Sequence, residues 1–317
     1  MLYSPDSHTY NFGSINKVQT SIKVSPSGEY ISCFDRDKAK FTDKQKYSII
    51  ISISKGCPLA CKFCHLTLLE KENEQIPADL TVNNIINYVK QVIDRGEDLP
   101  SKYVKLCFMG EGEPLLEINK VASIAVSLVK ELINQKLAKG LDGIDISTSM
   151  PSVSIKKVSA TLTELNMEMR KYALNPNNYS NEQRSIVRLF YSLHHFNQEE
   201  RDWLIPSTKS IKDALFSLQQ LEGINIVVHY MFMNSVNDRA KKNEINGLID
   251  FINSNTCFEN WEFRILRHNY SRDVPGFKES SNFSNIIAYI RDKVNVRKFK
   301  VQYSAGEDVY AACGMFL

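Results

Sequence analysis

From residue 47 onward, short apolar runs alternate with longer stretches in which apolar residues recur every three or four positions. The short runs are typical of buried strands, and the periodic stretches are typical of helices with one apolar face. Their alternation predicts parallel strands joined by helical crossovers, hence a barrel or an open doubly wound sheet, with the chemistry at the carboxyl ends of the strands. The predicted strands are 47–54, 103–110, 143–148, 186–194, 224–232, 261–268 and 298–304, and the clearest predicted helices are 82–96, 118–136 and 211–223.

The first 46 residues do not follow this alternation. Their charged section, 34–46, predicts a hairpin or a solvated arm, and a second polar segment, 174–184, predicts a loop. We therefore expect an N-terminal arm or small β extension over residues 1–46 and a main domain over residues 47–317, whose last residues form a distinct C-terminal segment.

Composition and charge narrow the class of protein only slightly. An apolar share of 43% in 317 residues is ample for a large core, and 39 basic against 36 acidic residues leave a net charge of +3. Such a balance is weak support for a dedicated nucleic-acid-binding protein, although a locally basic cleft would not show in the sum. The first residues lack a signal-peptide pattern, and no apolar run approaches the roughly 20 residues that span a bilayer, so we expect a cytoplasmic protein without membrane contact.

The strongest chemical signal is a group of three cysteines directly after the first predicted strand. Three residues separate Cys57 from Cys61, and two separate Cys61 from Cys64. Thiolates are the usual ligands of iron–sulfur clusters, and three of them would leave the fourth iron of a [4Fe–4S] cube open. A zinc site that adds His65 is the alternative, since three cysteines and a histidine form a legitimate zinc shell. Neighbouring Cys64 and His65 would have difficulty converging on one ion, so the spacing favours the [4Fe–4S] cluster.

The cysteine motif and its position resemble the radical S-adenosylmethionine (SAM) superfamily. Further motifs resemble one family within it, the RlmN/Cfr-type adenine methyl synthases of ribosomal and transfer RNA, from about Ser52 to Gly314. The resemblance implies an α/β fold, a partial (β/α)6 barrel of the radical SAM type with short N-terminal and C-terminal extensions, and it implies a [4Fe–4S] cluster and SAM as cofactors. The motifs are GEGEPLLEIN (110–119), STSMP (147–151), SLHHFNQEERDWLIP (192–206), NSVND (234–238), ILRHN (265–269) and GEDVYAACG (306–314).

The resemblance also implies where SAM binds. Gly112 and Glu113, at the end of the second predicted strand, would bind its amino group. A simple turn is the alternative for the glycine-rich stretch, and serines at strand ends are often turn formers. The residues implied to line the nucleoside and methionine portions of SAM are Ser147, Ser192, Leu193, His194 and Asn269.

Cys313, in the last of these motifs, separates the family from other radical SAM enzymes. The resemblance implies that Cys313 accepts a methyl group from one SAM. A radical from a second SAM then removes a hydrogen from that S-methyl group, and the resulting carbon radical adds to adenine. A packed, unreactive thiol is the alternative, because free cysteines are often buried.

The chain departs from the family pattern at Ile50, where the family carries a second cysteine that helps to resolve the adduct. Cys33 and Cys107 are candidates to replace that thiol. Cys107 lies inside a predicted strand and is expected in the core, whereas Cys33 lies in the arm and could approach the site. Strand alternation puts Ile50 and Ser52 on one face, which is the less apolar one, so we expect Ile50 to face the cavity.

Two further departures concern RNA. The family has a helical RNA-binding domain before its barrel, where about 46 residues stand in this sequence. The family's last strand also carries basic residues before its final turn, whereas this chain reads QYSAGED, and basic groups dominate affinity for phosphate backbones. We therefore expect a divergent member without that domain and without the second catalytic cysteine.

These observations predict a radical SAM enzyme that cleaves SAM reductively to a 5′-deoxyadenosyl radical and methylates an sp2 carbon of adenine, in RNA or a nucleotide, through S-methylated Cys313. One alternative is a radical SAM enzyme of the same scaffold that acts on another nucleotide, peptide or metabolite without the methyl-cysteine route. Another is a non-catalytic metal-binding interaction protein. The expected partners are the nucleotide or RNA substrate and a one-electron reductant such as flavodoxin or ferredoxin, and we expect a monomer.

Overall fold

The computed structural model describes most of the chain. The described residues are 11–15, 18–25, 30–36, 46–68, 73–173, 185–238, 242–267 and 277–302. The polar loop predicted at 174–184 lies outside them, as do Asn269 and Cys313.

One sheet organises the described chain, and its first part is antiparallel. The strands β1 (Asn11–Ile15), β2 (Val18–Val24), β3 (Tyr30–Arg36) and β4 (Lys46–Ile51) pair in this order, each antiparallel to the next. A separate two-stranded sheet pairs β5 (Ser54–Lys55) with β6 (Glu74–Gln75). Because β1 to β3 extend the sheet of the main domain, the proposed division at residue 46 stays a prediction.

The second part of the sheet is parallel, and each strand pairs with the next one in chain order. Its seven strands correspond to the seven predicted from the apolar runs, which confirms the α/β class. After β4 they are β7 (Tyr103–Phe108), β8 (Gly140–Thr148), β9 (Val187–Ser192), β10 (Asn225–Met231), β11 (Glu262–Leu266) and β12 (Lys298–Gln302).

Helices occupy the connections between the parallel strands. The three predicted helices are present, with ends shifted by a few residues. None of the helices in the described part of the chain is long and apolar enough to cross a membrane. The helices are α1 (His65–Leu68), α2 (Ala78–Asp94), α3 (Ile118–Asn134), α4 (Ile155–Met169), α5 (Gln198–Leu204), α6 (Ile211–Gln219), α7 (Lys242–Ser254) and α8 (Phe283–Ile290), with short 3-10 turns at Pro114–Glu117, Arg170–Tyr172 and Thr256–Asn260.

The two faces of the sheet differ in chemistry. One face forms the main core with α2, α3, α4, α6, α7 and α8, and on β4 it presents Ile49 and Ile51. The opposite face, which we call the polar face, carries Ser48 and Ile50 on the same strand. Charged side chains such as Asp145 are buried on this face. A sheet that curves into a partial barrel would enclose such groups.

Candidate active site at the carboxyl ends of the strands

The three cysteines of the motif lie on one loop between β5 and α1. Gly56 and Ala60 both adopt positive φ angles, 77° and 50°, so the loop turns sharply before Cys57 and again before Cys61. A positive φ is uncommon for alanine and marks a backbone that its surroundings hold in place. All three thiols are partly buried.

Backbone contacts fix this loop to the end of α5. The amide of Lys62 donates a hydrogen bond to the carbonyl of Leu204 at 3.0 Å. The hydroxyl of Thr67 donates to the carbonyl of Cys61 at 2.8 Å, which ties the first turn of α1 back to the loop. The cysteine loop therefore has a defined position relative to the strand ends.

The thiols lie close enough to influence one another and Glu113. Burial raises the pKa of Cys57 to about 12, with Cys64 and Glu113 adding to the effect and backbone hydrogen bonds at Leu59 and Gly112 opposing it. Burial also raises the pKa of Cys61, again with contributions from the two other thiols and Glu113. Partly buried thiols of raised pKa become thiolates when a metal binds them, because the positive charge of the metal stabilises the deprotonated form.

The donor set of the loop consists of three thiols. No three Cys, His, Asp or Glu side chains within the described ranges converge as the ligands of one metal ion do. The thiols of Cys57, Cys61 and Cys64 nevertheless lie within electrostatic range of one another. In a [4Fe–4S] cube each thiolate binds a different iron, so the ligand sulfurs stand apart around a common centre. Three thiols on one loop, within electrostatic range of one another, suit such a cluster.

Two glycines let the end of β7 approach the end of β4. A Cβ atom on Gly110 would lie 2.5 Å from the hydroxyl oxygen of Ser52, and one on Gly112 would collide with Ser54. Gly112 also has a φ of 93°, which favours glycine. The amide of Glu111 donates to the Ser52 hydroxyl at 3.0 Å in this junction. The glycines of the GEGEP stretch thus serve close packing beside the cysteine loop.

Glu113 joins the ends of β7 and β8. Its carboxylate accepts hydrogen bonds from the amide of Leu115 at 3.1 Å and from the amide of Ser149 at 3.0 Å. Burial raises its pKa to about 7, against the opposing effect of hydrogen bonds from Thr148, Ser149 and Leu115. A carboxylate fixed in this way next to the cysteine loop can accept a further hydrogen bond from an ammonium group. That Glu113 and Gly112 bind the SAM amino group stays a prediction.

The predicted SAM residues of β8 and β9 meet at neighbouring strand ends. Ser147 and Ser192 are partly buried on the polar face, whereas the side chain of Leu193 belongs to the main core. Leu193 can therefore line a cofactor only with its backbone. His194 adopts a φ of 51°, and its buried ring lies edge-on to Phe63 of the cysteine loop, with 5.2 Å between the ring centres. Three of these four residues thus offer side chains near the cysteine loop or on the polar face.

Arg201 is a central residue of the site, and no sequence motif assigned it a role. Its side chain is completely buried, and its guanidinium donates to the carbonyls of Ser149, Ser192 and Leu193 at 3.0, 3.2 and 3.2 Å. Further donors reach the hydroxyl of Thr208 and the carbonyl of Lys209. One side chain thereby connects the ends of β8 and β9. The signal that could have identified Arg201 is its position inside the motif SLHHFNQEERDWLIP.

Asn237 makes the corresponding connection between β9 and β10. Its amide nitrogen donates to the carbonyls of His194 at 2.6 Å and Met231 at 2.7 Å, and its amide oxygen accepts from the backbone of Met233 at 2.7 Å. The NSVND motif therefore fixes two neighbouring strand ends.

The structure reverses the expectation about the two spare cysteines. Cys33 pairs with Ile49 and is buried in the main core, on the opposite side of the sheet from Ile50, so the expectation that Cys33 could approach the site is wrong. Cys107 is the register partner of Ile50 on the adjacent parallel strand, so both side chains lie on the polar face. Ile50 is absent from the main core, which confirms the face of the sheet predicted from strand alternation. Cys107 is buried too, but not in the main core where it was expected.

Comparisons with known proteins bear on the fold and on the family resemblance. No family model matches the chain. The chain is 28% identical over 283 residues to "Probable RNA methyltransferase RB6963" of Rhodopirellula baltica, covering 85% of this chain and 63% of that protein. It is 26% identical over 280 residues to "Probable dual-specificity RNA methyltransferase RlmN" of Prochlorococcus marinus subsp. pastoris, covering 86% of this chain and 69% of that protein.

One solved structure establishes the fold. The crystal structure of a radical SAM methyltransferase from Sphaerobacter thermophilus superposes with a TM-score of 0.67 at 17% identity, covering 97% of this chain and 80% of that one. The chain therefore shares the fold of that solved structure. The sequence relatives confirm the narrower resemblance to the RlmN type.

Proposed function

We propose that this protein is a radical SAM enzyme that methylates an sp2 carbon of adenine, in RNA or in a nucleotide. The single observation that carries the proposal is the cysteine loop, where three thiols and the Glu113 carboxylate lie within electrostatic range at the carboxyl ends of parallel strands. When bound by these thiols, a [4Fe–4S] cluster would supply the electron that cleaves SAM to a 5′-deoxyadenosyl radical.

The remaining residues of the site bind and orient SAM in this proposal. Glu113 accepts a hydrogen bond from the SAM ammonium, and Gly112 gives the backbone room to approach it. Ser147, Ser192 and His194 surround the rest of SAM, with Leu193 contributing its backbone and Asn269 a further polar group. Arg201 holds the strand ends that carry several of these residues, because its five donors are shared among loops after different strands.

Cys313 is proposed as the methyl carrier. Its thiolate would attack the methyl group of SAM, with S-adenosylhomocysteine as the leaving group, and the S-methyl group would then supply the carbon that joins adenine. The names of the sequence relatives support RNA as a substrate. A one-electron reductant such as flavodoxin or ferredoxin would be needed, and we propose that the enzyme acts as a monomer in the cytoplasm.

Ile50 favours a second candidate function, a radical SAM enzyme that does not use the methyl-cysteine route. Its branched alkyl side chain lies on the polar face and can neither transfer a proton nor form a disulfide. In that case the same SAM site would serve another nucleotide, a peptide or a metabolite. A non-catalytic metal-binding protein is disfavoured. Such a protein would not need the hydrogen bonds by which Glu113 and Arg201 join the strand ends beside the cysteine loop.

Methyl-labelled SAM distinguishes these functions. Anaerobically reconstituted protein should carry label on the peptide that contains Cys313, and the Cys313→Ala variant should carry none. Reduced protein should also release 5′-deoxyadenosine. Release of 5′-deoxyadenosine with Cys313 never labelled would overturn the methyl-synthase proposal and favour the other radical SAM enzyme.

A further inference from the structure

Six charged side chains form two groups on the polar face, below the strand ends. We call them the two charged triads. In the first, the carboxylate of Asp145 on β8 pairs with Lys105 on β7 at 2.5 Å and with Arg188 on β9 at 2.7 Å. In the second, the carboxylate of Glu262 on β11 pairs with Arg264 at 2.5 Å and with Lys300 on β12 at 3.2 Å.

The triads meet around one aromatic ring. The guanidinium carbons of Arg188 and Arg264 lie 5.3 and 5.1 Å from the ring centre of Phe190. The ring of His229 lies 4.8 Å from the same ring. Burial lowers the pKa of His229 well below its usual value, and Arg264, His194 and Arg188 lower it further, so this histidine is neutral and adds no charge.

Each triad contains two cationic side chains and only one carboxylate. Two cations share one carboxylate in each, so the two triads together carry an excess of two positive charges when both lysines are protonated. Burial lowers the pKa of Lys105 and of Lys300, and an anion beside them would favour their charged forms. The buried carboxylates Glu111 and Glu113 lie at the strand ends beside the cysteine loop, where Glu111 accepts a hydrogen bond from the amide of Gly56 and Glu113 accepts from those of Leu115 and Ser149. Lys46 is paired one-to-one with Asp142, and Lys298, the register partner of Glu262, adds a further cation. Uncompensated charge in a partly buried site is costly, and an anionic ligand would offset the cost.

The triads are continuous with the proposed SAM site. Ser192, His229, Arg264 and Lys300 occupy matching register positions on four neighbouring parallel strands, so their side chains form one row across the polar face. A molecule that reacts beside SAM at the end of β9 can therefore extend along this row towards Arg264 and Lys300.

The charge selects the ligand class. A phosphate monoester carries about −1.5 to −2 charges near neutral pH, which matches the excess of the two triads, whereas an internal phosphodiester carries one. The planar guanidinium of arginine can donate two parallel hydrogen bonds to phosphate oxygens, whereas an ammonium acts as a point charge. We propose that the two charged triads bind a phosphate monoester of the substrate, so that the substrate is a nucleotide with a terminal phosphate. Only the adenine part of this substrate rests on the proposed function.

The test is a calorimetric titration of anaerobically reconstituted protein that has been saturated with SAM, which keeps the probes out of the SAM site. The probes are inorganic phosphate, adenosine, adenosine 5′-monophosphate, and adenylyl-adenosine with one internal phosphodiester. We expect adenosine 5′-monophosphate to bind about tenfold or more tightly than adenosine or adenylyl-adenosine, the ratio that one charge-assisted hydrogen bond gives. Equal binding of the three would overturn the proposal.

Variants assign the binding to the triads. Arg188→Gln and Arg264→Gln each leave their carboxylate with one cation, so both should fold, and each should weaken phosphate binding about tenfold. Glu262→Gln should strengthen phosphate binding. Inorganic phosphate should therefore raise the melting temperature of the Glu262→Gln variant more than that of the unchanged protein. The control is Lys171→Met, which removes an exposed cation paired with Glu168 and should leave binding unchanged.

The outcomes separate this inference from the proposed function. Unchanged phosphate binding in both arginine variants would overturn the assignment to the triads even if Cys313 is methylated. If inorganic phosphate binds to the unchanged protein but not to the arginine variants, and no adenine nucleotide binds, the phosphate site is supported. The proposal that the substrate contains adenine is then contradicted.

Discussion

Ile50 and Cys107 are register partners on the adjacent parallel strands β4 and β7, and both side chains lie on the polar face of the sheet. Burial lowers the pKa of Lys105, whereas at Arg188 the effect of burial is outweighed, mainly by Asp145, and the pKa is raised. Cys107 lies within electrostatic range of both groups and acts in the raising direction on each. The only thiol next to position 50 on this face, within the described chain, is therefore Cys107. Cys33 cannot take that place, because it points into the main core.

This relationship predicts that turnover depends on Cys107 and not on Cys33. If the methyl-cysteine route operates, Cys107→Ala should slow product release about a hundredfold, as loss of a group that transfers a proton does. Adduct should accumulate on the protein, detectable by intact mass, and Ile50→Cys should restore release in the Cys107→Ala background. Cys33→Ala is the matched control and should turn over normally. A Cys107→Ala variant that keeps full turnover would show that another group resolves the adduct.

Loss of the cysteine trio should abolish the cluster. Reconstituted protein should contain about four irons and four sulfides per chain, and the combined change of Cys57, Cys61 and Cys64 to Ala should remove them, because each thiolate binds a separate iron. Iron and sulfide assays with the visible absorption spectrum measure this. Cys257→Ala, which changes a cysteine of the main core, should keep the cluster. One tightly bound zinc in place of iron would contradict the assignment.

Glu113→Gln should weaken SAM binding. The change removes the negative charge that would bind the SAM ammonium, and a charge-assisted hydrogen bond contributes about 1.5–3 kcal/mol. Calorimetric titration of the reconstituted protein with SAM gives the affinity. Glu117→Gln, on the 3-10 turn (Pro114–Glu117) that Glu113 caps, serves as the control and should bind SAM normally. Equal affinity in both variants would remove Glu113 from the SAM site.

Arg201→Lys should lower both stability and SAM affinity. The guanidinium donates five hydrogen bonds from a completely buried position, whereas an ammonium has three donors in a different geometry. We expect a loss of about 2–3 kcal/mol in the free energy of unfolding, measured with urea. Arg291→Lys, at an exposed arginine, should change neither quantity. An unchanged free energy of unfolding in Arg201→Lys would show that the connection between β8 and β9 does not depend on the guanidinium fork.

Asp145 should make stability depend on acid pH. Burial alone would raise its pKa, but Lys105 and Arg188 more than offset this, so the pKa in the folded protein is lowered. A lowered pKa means that the stabilisation is present above the unfolded value of about 3.9 and is lost as pH falls through the folded value. Asp145→Asn should cost about 3–5 kcal/mol at neutral pH, because it leaves two cations without their carboxylate. Unfolding curves between neutral and acid pH should show less pH dependence in the variant, and an equal dependence would contradict the assignment.

Much of the fold could be predicted from local pattern. All seven parallel strands follow from apolar runs that are long enough to be buried, and α2, α3 and α6 follow from their periodicity. The orientation of Ile50 followed from alternation along β4, since neighbouring residues in a strand point to opposite faces. Helix ends were less accurate because they depend on local hydrogen bonds and not on periodicity.

The sequence by itself determined the proposed class of chemistry, because the spacing of Cys57, Cys61 and Cys64 and their place after a strand are local features. Only the tertiary structure decided which distant residues share a face or a strand end. Cys33 and Cys107 look alike as isolated thiols, yet strand pairing puts one in the main core and the other beside Ile50. Arg201 and the two charged triads depend likewise on side chains from several strands, whose proximity arises from sheet order and curvature and leaves no periodic signal in the sequence.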